Sequence, residues 1–253
     1  PMNSSAASDV YKRQLKFSGL NSRGIVASFM VASAVLSMWV MNTSTAIMLL
    51  PVGISVIKVI SDTVNDISDN QKFNFQLCLL LGIAYAASVG GIATPIGTSP
   101  NGVLIQFASN NYDYDIGFAN WISIGLPITL GLGPLIWIFL TRIIFPVNFS
   151  ATQESKEKLN SMLKELGPMS NEEKKVIVVF LITAFFWIFR QLIDNLPGLS
   201  LLDDSVIAIT GAVSLFFINE SNNKNKLLIW DDVQSGFPWG LIFLFGGGMA
   251  LAY

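Results

Sequence analysis

Two short polar stretches in an otherwise apolar sequence carry the residues that could do chemistry. The first is Asn42-Thr43-Ser44-Thr45, and the second runs from Thr94 to Asn101, Thr-Pro-Ile-Gly-Thr-Ser-Pro-Asn. Neither holds an acid or a base. Asn42 offers a carbonyl and an amide, while Thr43 and Thr98 offer hydroxyls that can donate to a carboxylate or sulfate oxygen. Gly97 allows close backbone approach, and Pro100 holds a turn. With no Lys or Arg near either stretch, an anion here would be held by neutral donors and neighbouring Na⁺. The plainer alternative is a set of polar caps and kinks that only satisfy backbone groups.

The elements around these stretches belong in a bilayer. Hydrophobic residues make up 52% of the 253 residues and charged residues 13%, against about 25% charge in a soluble domain; mean hydropathy is +0.56. Residues 73–112 and 119–141 hold no charge at all, and each exceeds the roughly 20 residues that cross a bilayer core as helix. The expected fold is all-α, polytopic and transmembrane. There is no histidine, which excludes His-based acid–base catalysis and His-containing metal sites, and the protein is expected not to be an enzyme. The lone cysteine, Cys78, lies in an apolar run and reads as packing. Asp62, Asp66 and Asp69 could be cast as metal ligands, but beside Lys72 they describe a solvated loop.

Along the chain, residues 24–40 and 46–60 predict two short helices meeting at the Asn42–Thr45 knot, the pattern of a re-entrant hairpin; an ordinary pair of spans is the alternative. Non-helical backbone at membrane depth is tolerated where it is buried in protein or lines a cavity. Residues 73–110 would make a helix of about 57 Å, near twice the bilayer core. Pro95, Gly97, Pro100 and Gly102 break it, so a discontinuous helix is expected. A span at 119–145 carries Pro127 and Pro134 as kink points. Over 150–175, Leu159, Met162, Leu163 and Leu166 fall at helical spacing, which predicts an amphipathic helix on the membrane surface; a calmodulin-like target is the alternative. Further spans are expected at 176–193 and 205–218, with a last one starting near Phe237. If the hairpin enters from the cytoplasm and each later span crosses once, twelve of the thirteen basic residues beyond residue 14 lie inside, all but Arg190. That satisfies the positive-inside rule. A fully crossing hairpin would put Lys58 and Lys72 on the opposite side from Lys16.

Broken helices of this kind place ions and substrates in secondary transporters. A half-helix N-terminus attracts anions, and half-helix C-termini with unwound carbonyls suit a hard cation. Residues 37–52, SMWVMNTSTAIMLLPV, followed by GGIATPIGTSPN at 90–101, resemble the divalent-anion/sodium symporters, solute carrier family 13. The likeness runs from about Gly24 to Gly102 and continues more loosely through WGLIFLFGGGMAL at 239–251. It implies an inverted-repeat fold with an elevator-like transport domain, usually homodimeric, in the plasma (inner) membrane. It also implies Na⁺-coupled symport of dicarboxylates, citrate or sulfate, with sodium as coupling ion and no other cofactor, and no nucleic-acid partner. By position, Asn42 and Thr43 would contact substrate and the first sodium, Ser37 and Gly97 would supply oxygens to that sodium, and Thr98 would face the substrate. A channel or passive pore of re-entrant loops is the alternative; filters usually repeat one carbonyl-rich loop or carry charged rings, which these two unlike stretches do not.

Two departures from the family pattern bear on the site. The signature serine is Met41 here, so only its backbone oxygen remains, and Ser99 replaces the usual first proline of the loop. The family's second Asn-Thr tip and second broken helix would lie beyond Tyr253. The run Asp9–Gln14 back-translates to a transposon end used in sequencing libraries, so residues 1–14 are expected to be a non-native leader and the chain a fragment cut at both ends. The expected organisation is 15–149 for the hairpin, broken helix and following span of the first repeat, 150–175 for the cytoplasmic linker helix, and 176–253 for the start of the second repeat.

Overall fold

The computed structural model describes residues 21–64, 67–165, 169–193, 203–220, 226–236 and 239–252. The expected leader at 1–14 lies outside them. The regular elements among the described residues are all helices, apart from isolated bridges at Asn21–Ser150 and Asn219–Lys226. Two compact units divide the chain after Met169.

The first unit begins with α1 (Ser22–Ser37) and α2 (Asn42–Thr63), joined by a short turn at 38–41. Both pack against α3 (Asp69–Gly91), α1 the more extensively. The core between them is apolar, built on Ile25, Phe29, Val56, Ile60, Phe75 and Leu79. Ser33 adds a buried hydrogen bond from its hydroxyl to Ile83 O at 2.7 Å, tying α1 to α3. At 16 residues, or about 24 Å, α1 falls short of the roughly 30 Å hydrocarbon core. By contrast α2, with 22 residues, is long enough to cross.

The hairpin's boundaries differ from the expected ones. Asn42–Thr45 is the opening turn of α2 rather than a linker, and the turn is made by Met38, Trp39, Val40 and Met41. Asn, Ser and Thr suit a helix N-terminus, whereas hydropathy does not report where an apolar stretch turns.

The break after α3 falls where expected. The chain leaves helix at Ile92 and re-enters at α4 (Ser99–Tyr112), with Pro100 in its first turn. Then α5 (Phe118–Ile138) runs through Pro127 and Pro134 and ends in a π-helical turn, Phe139–Ile144. Fully buried Cys78 packs beneath that turn, its thiol 3.3 Å from the carbonyls of Leu140 and Phe145. Among the described residues α2, α3 and the 118–144 segment are each long and apolar enough to cross a membrane.

Helix α6 (Gln153–Glu165) packs on α2. Leu159 is buried, and a hydroxyl cluster holds the helix start to the end of α2: Ser155 Oγ lies 2.6 Å from Thr63 Oγ1 and 2.9 Å from Thr152 Oγ1. Leu166 lies outside the described residues.

The second unit holds α7 (Asn171–Ile193), α8 (Asp204–Leu215), α9 (Trp230–Gly236) and α10 (Trp239–Ala252). A reciprocal capping box starts α7, with Ser170 N donating to Glu173 and Glu173 N to Ser170 Oγ. Arg190 and Asp204 form an ion pair at 3.1 Å, and Trp187 Nε1 donates to Asp204 O, joining α7 to α8.

Candidate functional site

Four helix ends meet in the first unit. The C-terminus of α1 at Ser37 and the N-terminus of α2 at Asn42 come from the hairpin; the C-terminus of α3 at Gly91 and the N-terminus of α4 at Thr98 come from the break. Helix C-termini are partially negative and N-termini partially positive, so one small volume receives both signs of potential without a charged side chain.

Asn42 sits at the crossing. One terminal atom of its carboxamide lies 2.7 Å from Ser37 Oγ, 3.1 Å from Ala87 O and 3.2 Å from Gly97 O. The other lies 3.3 Å from Thr98 Oγ1. Two of the first atom's three neighbours are carbonyl oxygens, which only accept, so without a cation the amide nitrogen belongs there as donor. Turned the other way, the amide would add its oxygen to the carbonyls and the Ser37 hydroxyl. A cluster of neutral oxygens fits a hard cation. The donor set could therefore hold a hard cation.

Close approach depends on missing side chains. A Cβ on Gly91 would collide with the Asn42 carboxamide, and one on Gly97 would stand 2.9 Å from Ser37 O. The break itself is braced by donors aimed at its carbonyls. Asn101 Nδ2 donates to Gly91 O and Thr94 O, each at 2.8 Å. From α5, Trp121 Nε1 donates to Ile92 O at 2.9 Å and Thr129 Oγ1 to Val89 O at 2.9 Å. Thr94 Oγ1 donates to Met38 O and accepts from Gly97 N at 3.1 Å.

The positive ends are left open. Neither α2 nor α4 has a side-chain cap at its N-terminus, since Met41 and Thr98 make no capping hydrogen bond. Met41 O accepts Thr45 N at 2.9 Å and so is engaged in the helix. The opening turn of α2 thus presents unsatisfied N–H groups, the arrangement that binds anions. In α4, Pro100 has no N–H and Asn101 N donates to Thr98 O at 3.1 Å, which leaves the Ser99 N–H.

Of the residues singled out in the sequence, Ser37, Asn42, Gly97 and Thr98 are brought together around one carboxamide. Thr43 is exposed on the first turn of α2, next to Asn42. Sequence reasoning missed Thr94, Asn101, Gly91 and the Ala87 carbonyl. Thr94 and Asn101 lie inside the second polar stretch, so their signal was composition without an assigned role; a helical carbonyl such as Ala87 O leaves none. Among the described residues there is no group of three or more His, Cys, Asp or Glu that could hold a metal, and Asp66 lies outside them.

The chain as a whole is similar to known proteins. Residues 13–253 match the family described as the sodium:sulfate symporter transmembrane region. The chain is 35% identical over 237 residues to a sodium-dependent dicarboxylate transporter of Staphylococcus saprophyticus, covering 92% of this chain and 46% of the relative. A protein of the same description from Staphylococcus aureus USA300 is 34% identical over 238 residues, covering 92% of this chain and 46% of the relative. The chain spans about half the length of these relatives. Family and relatives are transporters rather than enzymes, and they do not favour the passive-pore alternative.

Proposed function

The chain belongs to the sodium:sulfate symporter family, and from that premise we propose that it is part of a sodium-coupled symporter of divalent anions. Within the candidate substrates (C4-dicarboxylates, citrate and sulfate) the names of the relatives favour dicarboxylates. Ser37, Asn42 and Gly97 hold sodium, while Asn42, Thr43 and Thr98 meet the anion. The observation that carries this reading is the Asn42 carboxamide, which has a cluster of oxygens at one end and the Thr98 hydroxyl at the other. It is one group facing both ligands.

The chemistry follows from the absence of charge. The open N–H groups at the start of α2, the Ser99 N–H and the Thr98 hydroxyl supply neutral donors, and sodium offsets the anion's charge beside them. Each ligand then binds better with the other present. Transport follows elevator-type alternating access in the plasma (inner) membrane, with a homodimer as the assembled form and sodium as the only coupling group. The hairpin enters from the cytoplasmic side without crossing.

The test is uptake by proteoliposomes carrying the protein expressed from its complete reading frame. A labelled C4-dicarboxylate should accumulate with an inward sodium gradient and saturate with concentration. Uptake that is unchanged in choline or rises linearly with concentration would overturn the reading.

A further inference from the structure

We propose that Thr94 is the positioning residue of the cation half of the site, an inference that rests on the sodium-site reading above. Its side chain is 2% exposed. The hydroxyl gives its proton to Met38 O, in the turn that follows Ser37, and accepts the Gly97 N–H at 3.1 Å. One oxygen therefore links the end of α1 to the break loop, the two backbone segments whose oxygens flank Asn42.

The consequence lies at Gly97. Its N–H is held by Thr94, through Oγ1 and also through Thr94 O at 3.3 Å, while its own carbonyl lies 3.2 Å from the Asn42 carboxamide. Fixing one face of the Gly97 residue aims the other. A glycine has no side chain to restrict its backbone, so the aim must come from outside. Thr94 O in turn accepts from Asn101 Nδ2 at 2.8 Å, which anchors Thr94 to the start of α4.

Thr94 is not itself a ligand. Its single proton is committed to Met38 O and one lone pair is taken by the Gly97 N–H, and its hydroxyl is not among the hydrogen-bonding neighbours of the Asn42 carboxamide. Valine would keep the shape while removing both hydrogen bonds. Serine would keep both bonds and lose only the methyl group.

The experiment is a sodium titration of the protein from its complete reading frame in nanodiscs, at constant ionic strength with choline. Tryptophan emission and thermal midpoint report sodium; anion binding is then measured at saturating sodium. Thr94→Val should raise the half-saturating sodium concentration about ten-fold, the scale of a lost buried hydrogen bond. Anion affinity at saturating sodium should stay within about two-fold of wild type. Thr94→Ser should match wild type in both. An unchanged sodium midpoint in Thr94→Val, or anion affinity that stays depressed at saturating sodium, would overturn the role. Should the valine variant fail to fold, Thr94→Ala removes the same hydroxyl and is read the same way, while a ten-fold loss in Thr94→Ser would also overturn it. Asn42→Ala separates the two claims. If it keeps the sodium response, the sodium-site reading fails; if it loses the response and Thr94→Val does not, only the role of Thr94 fails.

Discussion

In the proposed site, Asn42 can face both ligands because a carboxamide has two unlike ends. A carboxylate at this position could not donate, and a hydroxyl, with one polar atom in place of two separated ones, could not present an oxygen to one side and an N–H to the other. The neighbouring departure, Met41, shows the same economy from the other side. It stands at the N-cap of α2 with no side-chain acceptor, leaving the first N–H groups uncapped. Met41→Ser should therefore stabilise the protein by about 1 kcal/mol through a restored cap, read as a higher thermal midpoint in sodium-free buffer. Sodium affinity should be kept or raised. A complete loss of sodium affinity would show that the Met41 side chain has a packing role at the hairpin turn.

Between elements, the fit is set by small residues where α1 meets the end of α3. A Cβ on Gly90 would run into the Ala34 backbone, which cannot move aside as a side chain can. Gly90→Ala should thus push α1 off α3 and destabilise the fold by about 1–3 kcal/mol, measured by thermal or denaturant unfolding in nanodiscs. Val89, one residue away, lines an apolar pocket with Met30 and Thr129, and Val89→Ala should have a smaller effect. The broken helix was legible because Pro95, Gly97 and Pro100 interrupt a charge-free run too long for one span. The start of α2 was not, because Asn, Thr and Ser serve equally in turns and at helix N-termini. Nor could the π-helical turn at 139–144 be foreseen. Pro127 and Pro134 marked α5 as irregular, yet the helix continues through both, and the irregularity sits over Cys78, 62 residues before Leu140 in the chain. Such a pairing is tertiary and leaves no local pattern.

For the whole molecule, membrane class and family were readable from charge-free runs and the two polar stretches. The mutual placement of Ser37, Asn42, Gly97 and Thr98 was available only as an implication of likeness, and the supporting shell of Thr94, Asn101 and Trp121 emerged only in three dimensions. Topology remains a physical prediction. Lys58 and Lys72 should share the cytoplasmic side, and Tyr114 should lie outside. In a vesicle preparation of known sidedness, Lys58→Cys and Lys72→Cys should react with a membrane-impermeant maleimide only from the cytoplasmic face, and Tyr114→Cys only from the other. Cys78, fully buried, should remain silent as the background. Labelling of Lys58→Cys from the outside would contradict a re-entrant hairpin. The central claim, that one carboxamide joins the sodium site to the anion site, is tested most directly by linkage. Dicarboxylate binding should be measured by calorimetry with and without saturating sodium, in wild type and in Asn42→Ala. Sodium should tighten wild-type binding at least about ten-fold, a coupling of about 1.4 kcal/mol, and should leave Asn42→Ala unchanged. An Asn42→Ala variant with the full wild-type coupling would contradict the account.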